Sequence, residues 1–127
     1  MIRKTRQRAA IRDALETTGR PMSPEDVLSA AQKQVKGLGI ATVYRNLKSL
    51  VEEGWLVTVE LPGQPARYEL AGKAHHHHFH CRECGQVFEL HGCVERLAEL
   101  VPPGYVMSGH DLLLYGLCTA CRKAKAL

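Results

Sequence analysis

Two Cys-x-x-Cys pairs, Cys81-x-x-Cys84 and Cys118-x-x-Cys121, are the strongest chemical signal in this 127-residue sequence. Four thiolates delivered by two such knuckles close a tetrahedral shell around one zinc ion, leaving no position for water or substrate. The spacing therefore predicts a structural zinc that staples a small domain. Buried cysteines or a thiol redox pair would also explain a single Cys-x-x-Cys, but a second pair weakens both explanations.

Immediately before the first pair runs His75-His76-His77-His78-Phe79-His80. In an extended segment these side chains alternate, so His76 and His78 share one face while His75 and His77 share the other. One strand can then feed two metal sites. Neutral imidazoles suit zinc, iron(II), nickel or cobalt, and a carboxylate or a further histidine must complete each shell. A solvated polar stretch is the plain alternative, which four consecutive histidines beside a Cys-x-x-Cys disfavour. Glu69, seven residues before His76, can reach the His76 and His78 face across a hinge. Glu95 and His110 are candidate completions of the His75 and His77 face. Taken singly, each of the three is better explained by an ordinary surface or core role. Cys93 lies outside both pairs and reads as a small apolar residue, or otherwise as a soft extra ligand or a thiol switch.

These residues need elements to hold them. Residues 5–18 carry Ala9, Ile11, Ala14 and Leu15 near helical spacing, with Gly19 and Pro21 as a stop. Ser23-Pro24-Glu25-Asp26 reads as a capped helix start, and the helix should end near Lys36 and Gly37. A third helix opens at Ala41 or Thr42, turns Val43, Leu47, Leu50 and Val51 inward, leaves Tyr44, Arg45 and Lys48 outside, and stops at Gly54. Trp55–Leu61 and Ala66–Leu70 read as two strands joined by Pro62-Gly63-Gln64-Pro65. Three helices and a hairpin make a winged helix. Beyond it, short strands are expected at His76–Cys81, Gln86–Leu90 and about Leu112–Tyr115, with a helix at Val94–Val101. The fold class is thus α+β, with a winged helix-turn-helix domain over 1–71 and a small metal-binding α/β domain over 72–127.

Charge divides along the same line. The excess of 17 Lys and Arg over 13 Asp and Glu is modest, yet Arg3, Lys4, Arg6, Arg8 and Arg12 place five cations in the first twelve residues without an acid among them. Such a run suits an acidic partner such as nucleic acid, and equally a solvated helix face. With a winged helix attached, DNA is the better reading: Tyr44 and Arg45 enter a major groove, Thr42 and Lys48 meet phosphates, and Arg3, Lys4, Arg6 and Arg8 touch backbone or minor groove. With 45% hydrophobic and 24% charged residues the composition is that of a globular protein. No apolar run is long enough to span a membrane and no secretory signal opens the chain, so a cytoplasmic protein without membrane association is expected.

Together these residues resemble the ferric uptake regulator family of bacterial metal-responsive repressors. The matching pieces are GLGIATVYRNLKSLVEEG at the recognition helix, RYEL ending the wing, HHHHFHCRECG at the domain boundary and GHDLLLYGLCTAC near the C-terminus. The resemblance implies a homodimer built by the C-terminal domains, whose winged helices grip a palindromic AT-rich operator in double-stranded DNA when a regulatory metal is bound. By position, Cys81, Cys84, Cys118 and Cys121 match the structural zinc site, and Glu69, His76 and His78 match the regulatory hinge site. His75, His77 and His110 match a second site, whose carboxylate Glu95 fits if one residue is deleted before it. Pro21 stands where iron and peroxide sensors often carry a histidine ligand in the DNA domain. The four-histidine run resembles the zinc uptake regulator branch, whereas Glu69 resembles iron regulators.

The function expected is that of a metal-dependent repressor of zinc- or iron-uptake genes, not an enzyme. Its cofactors would be structural Zn2+ and a regulatory Zn2+ or Fe2+, with Mn2+ admitted. A metal-dependent hydrolase is the first rival, and it lacks a general base. A metal buffer protein without DNA function is the second, and it leaves the basic helix unexplained.

Overall fold

The computed structural model describes residues 2–125. They form two compact units, Met1–Lys73 and Ala74–Leu127.

In the first unit, α1 (Ile2–Thr18), α2 (Pro24–Ala31) and α3 (Ile40–Glu52) precede a hairpin of β1 (Leu56–Val59) and β2 (Arg67–Leu70). The start of α2 is a reciprocal cap: the Asp26 N–H donates to Ser23 Oγ and the Ser23 N–H donates to Asp26 Oδ2, each at 3.1 Å, with Pro24 at the first helical position. The helix closes at Ala31, short of Lys36, because residues 32–38 leave it in turns such as Gln34 N–H to Ala31 O at 3.0 Å. At the other end of α3, Gly54 has φ +80°. Its N–H donates to Val51 O and that of Trp55 to Leu50 O, both at 3.0 Å, the paired bonds of a Schellman cap that only a left-handed residue permits. This turn delivers the chain into β1, which pairs antiparallel with β2 in the register Leu56 to Leu70 through Val59 to Arg67.

The core of this unit is an apolar cluster, with the polar Gln7 and Glu69 also buried. Ile11 and Leu15 of α1, Val27 and Ala31 of α2, Val43, Leu47 and Leu50 of α3 and Leu56 of β1 are all essentially inaccessible. Burying one such Leu or Ile contributes about 1.5–3 kcal/mol. The outward residues of α3 are thereby fixed in direction by the inward ones.

The second unit is built otherwise. β3 (His77–Cys81) is the central strand, antiparallel to β4 (Val87–Leu90) and parallel to β5 (Leu113–Gly116), and α4 (Thr119–Lys125) follows. Its only fully buried apolar side chains among the described residues are Cys81 and Val87. The helix expected at Val94–Val101 is reduced to a 3₁₀ turn, Leu97–Leu100. Arg96 adopts φ +71°, and Val94 and Leu100 lie exposed, so no buried apolar face rewards a longer helix. No helix among the described residues is long and apolar enough to cross a membrane.

Candidate metal centres and nucleic-acid interface

Cys81 ends β3, where its N–H donates to Gln86 O and its carbonyl accepts from Gly85 N–H, both at 2.9 Å. Gly85, at φ +76°, makes the turn that folds Cys84 back toward Cys81. Cys118 approaches from beyond β5, donating its N–H to Cys81 Sγ at 3.4 Å, and Cys121 follows on the first turn of α4. The four sulfurs lie within 4.8 Å of one another, with Cys84 to Cys118 at 3.9 Å. Tetrahedral zinc with bonds of about 2.3 Å separates its sulfurs by about 3.8 Å, so the donor set and its spacing fit that ion. Electrostatics are graded across the cluster. The N–H groups of Cys84 and Cys118 hold the Cys81 thiol down at about 6, whereas burial and then the neighbouring sulfurs push Cys121 up to about 12. Cys84 is also raised, since the pull of the Gln86 N–H is outweighed by burial and Cys81. Zinc binds thiolates, and the lowered Cys81 is a thiol that gives up its proton readily to an arriving cation.

On one face of β3 the structure brings together His75, His77 and His110, and adds Cys93. Nε2 of His77 lies 3.1 Å from that of His75, 3.2 Å from that of His110 and 3.2 Å from Cys93 Sγ, which is itself 3.1 Å from His110 Nε2. Three Nε2 atoms turned to one place cannot all donate to one another, whereas one cation accepts a lone pair from each. Burial, and then the charges of His75 and His110, lower the pKa of His77 and favour the neutral ligand form. Glu95, the expected carboxylate, is absent from this cluster. It sits exposed in the turn leading to the left-handed Arg96, while Cys93, two residues earlier, points its sulfur at His77 and His110.

On the other face, the rings of His76 and His78 lie 4.8 Å apart. His76 Nδ1 is 2.8 Å from Ala74 O, an acceptor only, so Nδ1 carries the proton and Nε2 the lone pair. Glu89 of β4 stands directly opposite His78, and cross-strand partners share a face. Sequence reasoning passed over Glu89; alternation in the hairpin that follows Cys84 was the signal available. Glu69 belongs to the first unit, where it pairs across the hairpin with Val57, is buried, and lies 3.7 Å from Lys73 Nζ.

The outward face of α3 carries the predicted DNA-binding residues. Arg45 donates to Thr42 Oγ1 at 3.0 Å, which presets its direction, and Tyr44, Arg45 and Lys48 line a cleft of about 560 Å³ together with Thr58 and Tyr68 of the hairpin. Arg3 and Arg6 line a second cleft, of about 620 Å³, with Lys33 and Lys36; Lys4 is exposed on α1. Arg8 is used inside the unit instead. It is ion-paired to Glu53 and donates to Ser49 Oγ at 3.3 Å, holding the Glu53 carboxyl below its ordinary range. Arg12 lies over the Trp55 ring at 4.6 Å.

With these sites in view, the family model described as the ferric uptake regulator family matches residues 1–115. The chain belongs to the ferric uptake regulator family. It is therefore a metal-responsive transcriptional regulator, in a family of dimeric DNA-binding proteins. A ferric uptake regulation protein from Campylobacter jejuni is 32% identical over 130 residues, spanning 98% of this chain and 83% of its own length. A zinc uptake regulation protein from Mycobacterium tuberculosis is 32% identical over 124 residues, spanning 95% of each. The solved structure of the Helicobacter pylori ferric uptake regulator, described as having three functional metal binding sites, aligns with a TM-score of 0.72 at 29% identity, covering 91% of this chain and 79% of that one.

Proposed function

We propose that this protein is a homodimeric, metal-activated repressor of zinc- or iron-uptake genes that binds a palindromic AT-rich operator. The observation that carries it is the second unit's pair of convergent donor clusters in a chain whose first unit presents a basic, outward-facing α3. In this reading Cys81, Cys84, Cys118 and Cys121 hold the structural zinc, and His75, His77 and His110 belong to a second metal centre. His76 and His78, with Glu89 opposite His78 and Glu69 seven residues ahead of His76 in sequence, supply the regulatory site. The metal at the regulatory site is Zn2+ or Fe2+, with Mn2+ also suited to carboxylate and imidazole donors. Support for dimerisation comes from the second unit's surface: Val94, Leu100, Tyr105, Val106, Met107, Leu114, Tyr115 and Leu117 are all exposed, a concentration of apolar surface suited to a like partner.

Metal at the regulatory site raises the population of the arrangement in which two recognition helices reach successive major grooves, and DNA affinity rises with that population. The test is selection from sheared genomic DNA with zinc, with iron(II) and with a mild chelator, followed by sequencing of the retained fragments. Palindromes beside metal-transport genes under one metal are expected. Equal retention under all three conditions refutes metal activation.

A further inference from the structure

We infer that the second centre is a three-imidazole, one-thiolate site in which Cys93 is the fourth ligand, making it selective for zinc over iron(II) and manganese(II). This rests on the reading of the His75 and His77 face as a metal site and specifies its chemistry.

The geometry is a closed one. Cys93 Sγ, His77 Nε2 and His110 Nε2 form a triangle with edges of 3.1–3.2 Å, and His75 Nε2 joins at 3.1 Å from His77. Tetrahedral zinc with nitrogen bonds of about 2.0–2.1 Å and a sulfur bond of about 2.3 Å sets neighbouring nitrogens about 3.3 Å apart and the sulfur about 3.6 Å from each nitrogen, so these atoms stand within about 0.5 Å of the edges of one coordination shell. Each ligand is placed by a different device. His77 is fixed by the central strand, whose register sets it opposite Leu90. Cys93 follows Gly92, whose φ of +125° returns the chain from β4 toward His77, and His110 arrives just before β5.

The donor type then decides the metal. Thiolate and carboxylate carry the same charge, but sulfur is the softer donor and favours zinc, whereas oxygen suits manganese and magnesium. Four protein donors also leave no open position, so this centre holds and does not catalyse. The regulatory site, assembled from imidazole and carboxylate, lacks sulfur and keeps its wider tolerance. One chain thereby carries two sensors of different softness on the two faces of β3.

The experiment starts from anaerobic protein carrying one equivalent of zinc, with the four-cysteine centre shown to be filled, and adds cobalt(II). The unaltered chain should develop near-ultraviolet sulfur-to-cobalt charge-transfer absorption, which imidazole and carboxylate ligands cannot produce. Cys93→Ser should abolish it, and should weaken zinc at this centre by at least the 10- to 100-fold that loss of an outer-shell partner costs. Glu95→Ala should change neither. In the unaltered chain, zinc beyond the first equivalent should slow alkylation of Cys93, read by peptide mass spectrometry. Cys93→Asp should narrow the preference for zinc over iron(II). Charge-transfer absorption that survives Cys93→Ser, or zinc lost in Glu95→Ala, overturns the thiolate assignment alone. Unchanged zinc stoichiometry after joint His75→Ala and His77→Ala removes the second centre itself.

Discussion

Stripping zinc from the four-cysteine cluster should melt the second unit and spare the first. The magnitude follows from what each unit buries. Among the described residues of the second unit Val87 is the one fully buried aliphatic side chain, where a single such residue contributes about 1.5–3 kcal/mol. Structural zinc contributes about 10–16 kcal/mol in small zinc-binding peptides near neutral pH, several times that core and as large as the whole stability of an ordinary domain. The first unit contains no cysteine or histidine and rests on Ile11, Leu15, Val27, Val43, Leu47, Leu50 and Leu56. The assay is amide hydrogen exchange with and without a strong chelator under reducing conditions. Amides of β3, β4 and β5 should lose protection to the level of an unfolded chain, while those of α1–α3 exchange as slowly as before. Slow exchange persisting in β3 and β5 after removal of the last zinc would refute the claim that the ion, not packing, holds this sheet.

Acid should weaken the metal-free His77 face. His77 has its pKa lowered by burial and by the charges of His75 and His110, so the folded chain binds fewer protons there than the unfolded one, and the stability it contributes is present above the ordinary 6.5 and lost as pH falls below it. Denaturant midpoints at pH 7.5 and 5.5 should differ more for the natural chain than for His77→Gln. Arg45→Ala and Lys48→Ala should each weaken operator binding, the lysine change also reducing the salt slope by about one, as electrophoretic mobility shifts at several ionic strengths would show. Arg8→Ala should lower the first unit's melting temperature with a smaller effect on DNA, because its partners are Glu53 and Ser49. Leu47→Ala should cost about 2–5 kcal/mol in the same melting experiment, since the side chain is fully enclosed.

Where local rules decide, the sequence was readable. The α2 cap at Ser23, the α3 stop at Gly54 and the inward spacing of Val43, Leu47 and Leu50 are set by neighbours in the chain, and the winged helix follows from them. The Cys-x-x-Cys pairs were legible because a metal shell requires that spacing. What escaped depends on long-range partners. The Val94–Val101 stretch has helix-forming residues, yet none of them is fully buried, and the left-handed Arg96 breaks it. Glu95 seemed the fitting ligand because carboxylates commonly accompany imidazoles, and no periodicity reveals that the turn at Gly92 aims Cys93 at His110 instead. Glu89 depends on the His78 register, and the different uses of Arg6 and Arg8 depend on which of them meets Glu53.

The four consecutive histidines, of which His77 and His78 lie in β3 and His75 and His76 lead into it, carry no register information of their own. Slide β3 by a single residue and every side chain changes face, yet each face still receives two imidazoles. What breaks the degeneracy is the end of the strand: Phe79 lies against Gly116, where an added methyl would stand 3.4 Å from its ring, and Cys81 is tied at Gln86 and Gly116 by the knuckle. A zinc ion held by the four cysteines would thus work as an alignment key. By anchoring Cys81 it would dictate which imidazoles meet the sulfur of Cys93 and which meet Glu89, and a chain that lost it would keep its histidines while losing the distinction between the two proposed metal centres.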